Sequence, residues 1–515
     1  MARTIPLQNT FHQGMKRDVS RSNMPAGSLW NAVDMIANYG APLRERGGWV
    51  HHSQDIASVT ASASYVKGGV YATFSTSAGG ATSKCLALDE DGKLYDATTA
   101  SSASLIGTAL TVVQNPIFHG GTAVSAATAV YTGLVIIPDG TGAAVPKKYD
   151  GTTLADLNGT PPKARYATVY KDYTVLGNGT VGSTYYANRI WFSPEGDPDC
   201  AVSSVTAWDT TDSWIDLSVP VKGLGSTRNA LMVFHDAQVT RIRGAIPPPD
   251  EDMVVDDRYF EVGLLDPMSI VQHRDQIIWA SPEGVFRSDG AILDDLTRRG
   301  GMLRYWLDLT SAATSTWTFS GGTHRDTYFL CVMDGTTFKD CFAIDLLTLA
   351  WTRLSNVDAT SFWNGLNGTA DELYWGRRGA ARVCRHSTVF QVGTSTYKTD
   401  GDGDAVIGTV ETPFYLLDNK PGLKRIRRGL VGFELTDYAS DNPTCVVSYI
   451  LTPEETSYTS AKTLDEGTTF ERARFDINRQ AHGFALKFTR ANSGDFLLYS
   501  VEAEAWPYEQ TRLKV

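Results

Sequence analysis

The most constraining feature of this chain is a short apolar segment, a tight turn and a second short segment, repeated many times. "CLALDEDGKLYDAT" alternates from Cys85 to Leu88, turns at Asp91-Gly92 and resumes at Lys93-Leu94-Tyr95. "VPKKYDGTTLADL" turns at Asp150-Gly151, "NRIWFSPEGDPDC" around Pro194-Glu195-Gly196, and "NALMVFHDAQVTRIRG" at His235-Asp236. "DQIIWASPEGVFRSDGAILDDL" turns at Pro282-Glu283-Gly284 and again at Asp289-Gly290. "DTYFLCVMDGTTFKDCFAIDLLTLAWTRL" turns at Asp334-Gly335, and "DELYWGRRGAARVCRH" near Arg377-Arg378-Gly379. Asp-Gly between alternating apolar residues is a strong hairpin signal, because glycine supplies the positive φ that such turns need.

The units recur about every 40 to 60 residues, the spacing of one four-stranded propeller blade. Two copies resemble each other, "RIWFSPEGDPD" from Arg189 and "QIIWASPEGVFR" from Gln276. Helical periodicity is confined to "DPMSIVQHRDQ" from Asp266 and "GMLRYWLDL" from Gly301. The expected fold is all-β: an irregular β-propeller of about six to eight blades. Beyond residue 400, "AVIGTVETPFYLLDNKPGLKRIRRGLVGFELTD" and "FALKFTRANSGDFLLYSVEAEAWPY" read as longer strands, which fit a C-terminal β-sandwich. The boundary falls in the polar, glycine-rich "TSTYKTDGDGDA". The expected division is an N-terminal extension over 1–29, a propeller over 30–398 and a sandwich over 399–515 that packs back on it.

Composition narrows the function classes. A chain of 515 residues with 46 Lys+Arg against 57 Asp+Glu carries a net charge of −11, which argues against a basic groove covering the whole protein. With 12 Trp, 22 Tyr and 20 Phe the chain has ample material for packed cores. The six cysteines, Cys85, Cys200, Cys331, Cys341, Cys384 and Cys445, show no CxxC spacing and no close histidine partner, so neither structural zinc nor a disulfide framework is expected. "MARTIPLQNTFHQG" has no apolar signal core, and no run approaches a membrane span. The expectation is a chain made and folded in a cytoplasm, with no cofactor.

Candidate chemistry is sparse. Nucleophile-elbow, Walker and HExxH patterns are missing. The adjacent pair His51-His52 has only Asp55 nearby and reads as an exposed loop after Trp49. Asp294-Asp295 and Asp256-Asp257 are sequence neighbours, so on a strand they point to opposite faces, unlike the facing carboxylates of a glycosidase. In "DGDGDAVIGTVE", Asp400, Asp402, Asp404 and Glu411 match positions 1, 3, 5 and 12 of a calcium loop, with Ile407 at the apolar position. Ala405 stands where the loop wants glycine, and the flanks are not helical, so a plain interdomain turn is the favoured reading.

Two stretches suggest partners instead. "KPGLKRIRRG" gathers Lys420, Lys424, Arg425, Arg427 and Arg428 around Ile426, a set suited to an acidic neighbouring subunit, or less well to DNA phosphates. The alternative is a strand whose polar face is solvated and paired with nearby carboxylates. "GAIPPPDEDMVVDDR", Gly244 to Arg258, is a stiff acidic arm between two blade hairpins that either projects to a partner or only connects.

Together these features resemble the β-propeller tail proteins of short-tailed bacteriophages, the nozzle or DNA-stabilisation component below the head. The likeness rests on Asn31 with "VDMIANYGAPLRERGGW", on "NALMVFHDAQVTRIRG" followed by "EVGLLDPMSIVQHRDQIIWASPEGVFRSDG", and on "VETPFYLLDNKPGLKRIRR". The Ser/Thr/Ala-rich stretch from Ile56 to Val130 matches nothing in it. The resemblance implies a virion protein of the phage tail, assembled in the host cytoplasm as a cyclic oligomer, a hexamer. It further implies a lumen passing double-stranded DNA without sequence specificity, partners on the head–tail adaptor or portal side and among tail fibres or spikes, and no enzyme.

On that reading "WNAVDMIANYGAPLRERGGW" supplies an early strand with Trp30 and Trp49 packing at its ends, and a terminal strand completes a blade built mainly by the other end of the chain. Arg44-Glu45-Arg46 would cap the turn or pair with a neighbouring subunit. A second reading is a propeller adhesin that binds a host receptor or carbohydrate. It needs exposed Trp and Tyr with carboxylates between them, whereas Trp191, Trp279, Trp351 and Trp375 sit inside strand runs. A third, a propeller hydrolase, lacks the S-x-D-x-G-x-T-W boxes of sialidases.

Overall fold

In the computed structural model the hairpin units assemble into seven four-stranded antiparallel blades, six as separate sheets and one, blade 6, within a twelve-stranded sheet. The structure describes residues 3–506 except 9, 38–42, 47, 61–63, 76–79, 109, 121–132, 201–205, 250–251, 368, 379, 387–405, 418–423, 437–443, 465–466 and 492–494. Six blades follow in chain order with innermost strands Val66–Ser75, Ile117–His119, Lys163–Tyr170, Gly223–Ser226, Val271–His273 and Trp317–His324. Blade 7 has Ala359–Asn367 innermost, then Ala370–Arg377 and Val383–His386; its outermost strand is Trp49–His51 from the start of the chain. Each innermost strand touches the next, and Ala359–Asn367 returns to Val66–Ser75, so the ring is closed.

Apolar alternation explains why the blades stack. Phe74, Leu86 and Leu94 of blade 1 meet Val135, Ile137 and Tyr149 of blade 2, and every other blade interface has a buried cluster of the same kind. The interface between blades 5 and 6 merges with the sandwich interior in one core, which runs from Ile278 and Phe342 to Phe488 and Val501. Trp191, Trp279, Trp351 and Trp375 all lie within these cores, at most 1% exposed.

The C-terminal β-sandwich is not a separate bead. One of its sheets continues blade 6: the outermost strand Trp351–Arg353 pairs in parallel with Asn31–Val33, which pairs with Thr409–Glu411 and on through Gly483–Ala491, Thr444–Ile450 and Thr459–Leu464. The other sheet runs Gly467–Ala481, Lys424–Thr436, Asp495–Trp506. Leu43–Glu45 and Arg3–Gln8 both add to the free side of Asp495–Trp506. The expected boundaries at 29/30 and 398/399 therefore cut across sheets in which the N-terminal strands sit beside C-terminal ones.

Most of the named hairpins form where the turn chemistry places them, including those at Asp91-Gly92, Asp150-Gly151 and His235-Asp236. The turn at Pro194-Glu195-Gly196 does not close a hairpin, because Thr184–Phe192 pairs next with the distant Trp214–Asp216. "DPMSIVQHRDQ" is not a helix: Asp266 caps one 3-10 turn over Pro267–Ser269, and Val271–His273 then enters blade 5. "GMLRYWLDL" does form one, Leu303–Ser311, whose Trp306 is buried and donates to the Ser281 carbonyl at 2.9 Å. The Pro-rich segment joins the third and fourth strands of blade 4, so it lies within one blade rather than between two.

Candidate functional site

The basic run is placed in the middle of the sandwich's second sheet. Its described cations do not converge. Ile426 is fully buried, Arg425 is exposed beyond it, and Arg427 sits at a register irregularity. The Arg428 guanidinium meets Asp476 at 3.0 Å. Lys420 lies outside the described residues, and of Lys424 only the backbone pairing with Ala481 is described. Strand register sets Arg428 beside Asp476 and Glu504, Leu430 beside Arg474 and Glu502, and Gly432 beside Arg472. Arg472 in turn reaches Glu502 at 3.2 Å. Cross-strand partners share a face, so this outward surface alternates in sign and is close to balanced.

The mouth of the propeller holds a feature that carried no sequence signal. Val112 packs into the blade 1–2 core and Val113 against the blade 3–4 core. Gln114 then donates through Nε2 to the Leu224 carbonyl of blade 4 at 2.7 Å. Asn115 donates through Nδ2 to the Phe362 carbonyl of blade 7 at 3.1 Å and accepts from the Gly69 amide of blade 1. A linker that reaches blades 1, 4 and 7 spans the propeller axis. Its amide side chains meet backbone groups of three inner strands, which suits a segment crossing a low-dielectric interior.

Near the same axis, Lys67 of blade 1 and Asp266 before blade 5 are each half-buried. Burial pushes the Asp266 carboxyl up against the pull of the Met268 and Phe319 amides and of Lys222 and Lys67. Burial likewise pushes the Lys67 ammonium down, opposed by Asp266. Perturbed groups near a mouth are where catalytic pairs are sought. Asp266, however, is occupied by the Met268 and Phe319 amides at 2.9 and 3.0 Å.

The other sequence candidates have structural duties. Asp294 is held by Arg287 and Arg299, each at 2.6 Å; Asp295 caps the short helix Leu296–Arg299 by accepting from the Arg298 amide. Asp256 sits between Arg241 and Arg243. Asp400, Asp402 and Asp404 lie outside the described residues, while Glu411 is in a strand, accepting from Tyr458 at 2.8 Å and facing Arg21 and Lys487. Among the described residues no group of three His, Cys, Asp or Glu side chains is placed to hold a metal ion.

His51-His52 is not the exposed loop expected. His51 belongs to the ring-closing strand and His52 is 2% exposed, its ring edge-on to Tyr374. Glu45 and Arg46 neither cap a turn nor face outward. Glu45 meets Arg490 at 2.8 Å and Arg46 meets Asp34 at 2.6 Å, all four side chains buried. The Arg46 guanidinium also donates to the Ser355 carbonyl just after blade 6. Single-residue reading missed these pairs, because each partner is remote in sequence or hidden in a turn.

One surface groups aromatic and charged side chains. On blade 3, Arg189 lies 3.5 Å over Trp214 and 4.1 Å over Tyr186 and makes a two-pronged bond to Asp216 at 2.6 and 2.7 Å. Tyr185 beside it is half exposed.

No protein-family model matches the chain, and no curated protein matches it. Among solved structures, apo AztD from Citrobacter koseri aligns with a TM-score of 0.30 at 12% identity, covering 59% of this chain and 79% of that one. An exo-β-1,3-galactanase from Phanerochaete chrysosporium aligns with a TM-score of 0.22 at 10% identity, covering 76% of this chain and 100% of that one. An arabinoxylan arabinofuranohydrolase from Bacillus subtilis gives 0.21 at 9%, covering 86% and 96%. Likenesses this remote carry no argument about activity; the all-β propeller and sandwich are read from the chain's own strands.

Proposed function

We propose that the protein is a structural, non-catalytic component of a short-tailed phage tail, a nozzle subunit that assembles into a cyclic oligomer, a hexamer. The ring retains packaged DNA and passes it at ejection. The observation that supports this reading is the welding of propeller and sandwich by one shared sheet and one shared core, which makes each subunit a stiff strut. A conduit subunit needs such stiffness.

Gln114 and Asn115 refine the proposal. With the propeller axis crossed by their linker, the DNA path in this reading lies between subunits and not through any one propeller. A cyclic assembly joins unlike faces of neighbouring subunits. Negative-stain electron microscopy of the purified chain, alone and with its virion partners, tests the reading. Six-fold rings with a hole of duplex width are expected. Monomers or closed particles under both conditions would overturn it.

The blade 3 surface supports a second reading, an adhesin, since Trp214, Tyr186 and Tyr185 lie beside the Arg189–Asp216 pair as sugar recognition requires. A glycan-binding screen in which Trp214→Ala abolishes any hit would favour it.

A further inference from the structure

The ring of blades is closed by very little chain. Trp49–His51 is a three-residue strand, held to Val383–His386 and continued by the His52 and Ser53 amides, which donate to the Val383 carbonyl at 2.8 and 3.1 Å. Four of the nine histidines of the sequence lie at this closure or at the neighbouring blade 6–7 seam: His51, His52, His324 and His386. We propose that this closure is an acid-released latch, in which protonation of histidines enclosed between blade 7 and its neighbours detaches the N-terminal strand and opens the ring at one seam. The proposal is independent of the phage reading.

Each imidazole faces an arginine cation. His51 Nδ1 faces the Arg382 guanidinium at 2.7 Å and its Nε2 faces Arg377 at 3.4 Å. Both arginines are drawn partly to carboxylates, Arg377 to Asp358 at 3.1 Å and Arg382 to Asp55 at 3.7 Å. His52 is buried, its ring set against the backbone of Ala97 and Thr98 in blade 1, and it faces Arg385 and Tyr374. Arg385 is bound to Glu372 at 2.7 Å.

His386 is 6% exposed, its Nδ1 is without a partner, and its ring packs against Phe329 and Trp375 while facing Arg46 and His324. His324 is 4% exposed, with Asp371 at 3.8 Å and Arg325 also facing it. A small cleft of about 50 Å³, lined by His386, Arg46, Asp345, Thr327 and Ile36, lies against this seam.

The direction of the switch follows. Burial and Arg385 lower His52 to about 4, and burial with Arg46 and His324 lowers His386 to about 3, from an ordinary 6.5; burial lowers His324 as well. The closed ring keeps these imidazoles neutral, whereas a released strand would take up protons near 6.5. The closure is therefore fully held above pH 6.5 and loses hold as pH falls toward 4 and 3. His119 in blade 2 is also lowered by burial, but it meets the Asp172 carbonyl of blade 3, away from the closure.

Hydrogen–deuterium exchange on the full chain, corrected for intrinsic rates, tests the latch between pH 7 and pH 4.5. Protection over 49–53 and 383–386 is expected to fall roughly 20-fold by pH 5 for each histidine released. Blade 5, over Gln276–Ser281 and Gly284–Ser288, should keep its protection. Retained protection at the closure at pH 4.5, or equal loss in every blade, would overturn the proposal. His52→Phe and His386→Phe, tested singly, should each move the midpoint of release to lower pH, and an unchanged midpoint in both would also overturn it. Should either variant fail to fold, the exchange profile of the unaltered chain decides.

Discussion

Glu45 Oε1 and Arg490 Nε lie 2.8 Å apart in a place no solvent reaches, one from the start of the chain and one from its last third. The pair joins the two sheets of the sandwich, since Glu45 ends a strand on Asp495–Trp506 and Arg490 sits in Gly483–Ala491. Arg490 also donates to the Val406 carbonyl, and the Gly408 amide donates to Glu45. Removing one partner strands a buried charge. Glu45→Met is expected to cost about 3–5 kcal/mol, read as a lower midpoint in chemical denaturation. Glu45→Met with Arg490→Met should cost less than either single change.

The ring closure depends on Trp49, 1% exposed and edge-on to Trp375 at 5.7 Å. Trp49→Ala should destabilise the protein by about 3–5 kcal/mol, and limited proteolysis should cut first between residues 49 and 65.

Across the propeller mouth, Gln114→Ala would leave the Leu224 carbonyl without its side-chain donor. The expected loss is about 1–3 kcal/mol, checked by thermal denaturation, with the far-ultraviolet spectrum unchanged because no strand is removed.

On the sandwich face, Arg428 and Arg474 are partly or fully exposed. Arg428→Ala should change the stability of an isolated subunit by less than about 1 kcal/mol. If the face meets a neighbour in the ring, the Arg428→Glu, Arg474→Glu double variant should lose rings in electron micrographs while keeping subunit stability.

Global stability should also depend on pH in one direction. The lowered His52 and His386 contribute equally at all values above 6.5, and their contribution is lost as pH falls toward 4. Calorimetric melting temperatures should thus be flat from pH 8 to 6.5 and decline below, with a shallower decline in His386→Phe.

Turn chemistry made the blades legible. Asp-Gly between alternating apolar residues marks hairpins through local backbone preference, and blades are local structures. The sandwich strands were visible for the same reason, as long alternating runs. Their neighbours were not, because no local preference says that Asn31–Val33 slots between blade 6 and Thr409–Glu411. The short strand Val271–His273 follows a capped turn whose Asp266 mimics a helix start. Of the basic run, the strand is legible in the sequence, but the carboxylates beside Arg428, Asp476 and Glu504, are placed by pairing far along the chain. The ring-closing strand was expected from the need to hide sheet edges, whereas its burial of His52 followed from packing against blade 1.

The placement of the N-terminal strands also sets an order of events during synthesis. Trp49–His51 leaves the ribosome more than three hundred residues before Val383–His386, its pairing partner, and Leu43–Glu45 waits longer still for Asp495–Trp506. Blades 1 to 6 can form and stack as they emerge, each on the one before, while Trp49–His51 still lacks the strand that will hold it. A nascent chain of this kind carries an apolar-rich β-segment without its partner for most of its translation time, and its last step is the docking of its oldest part.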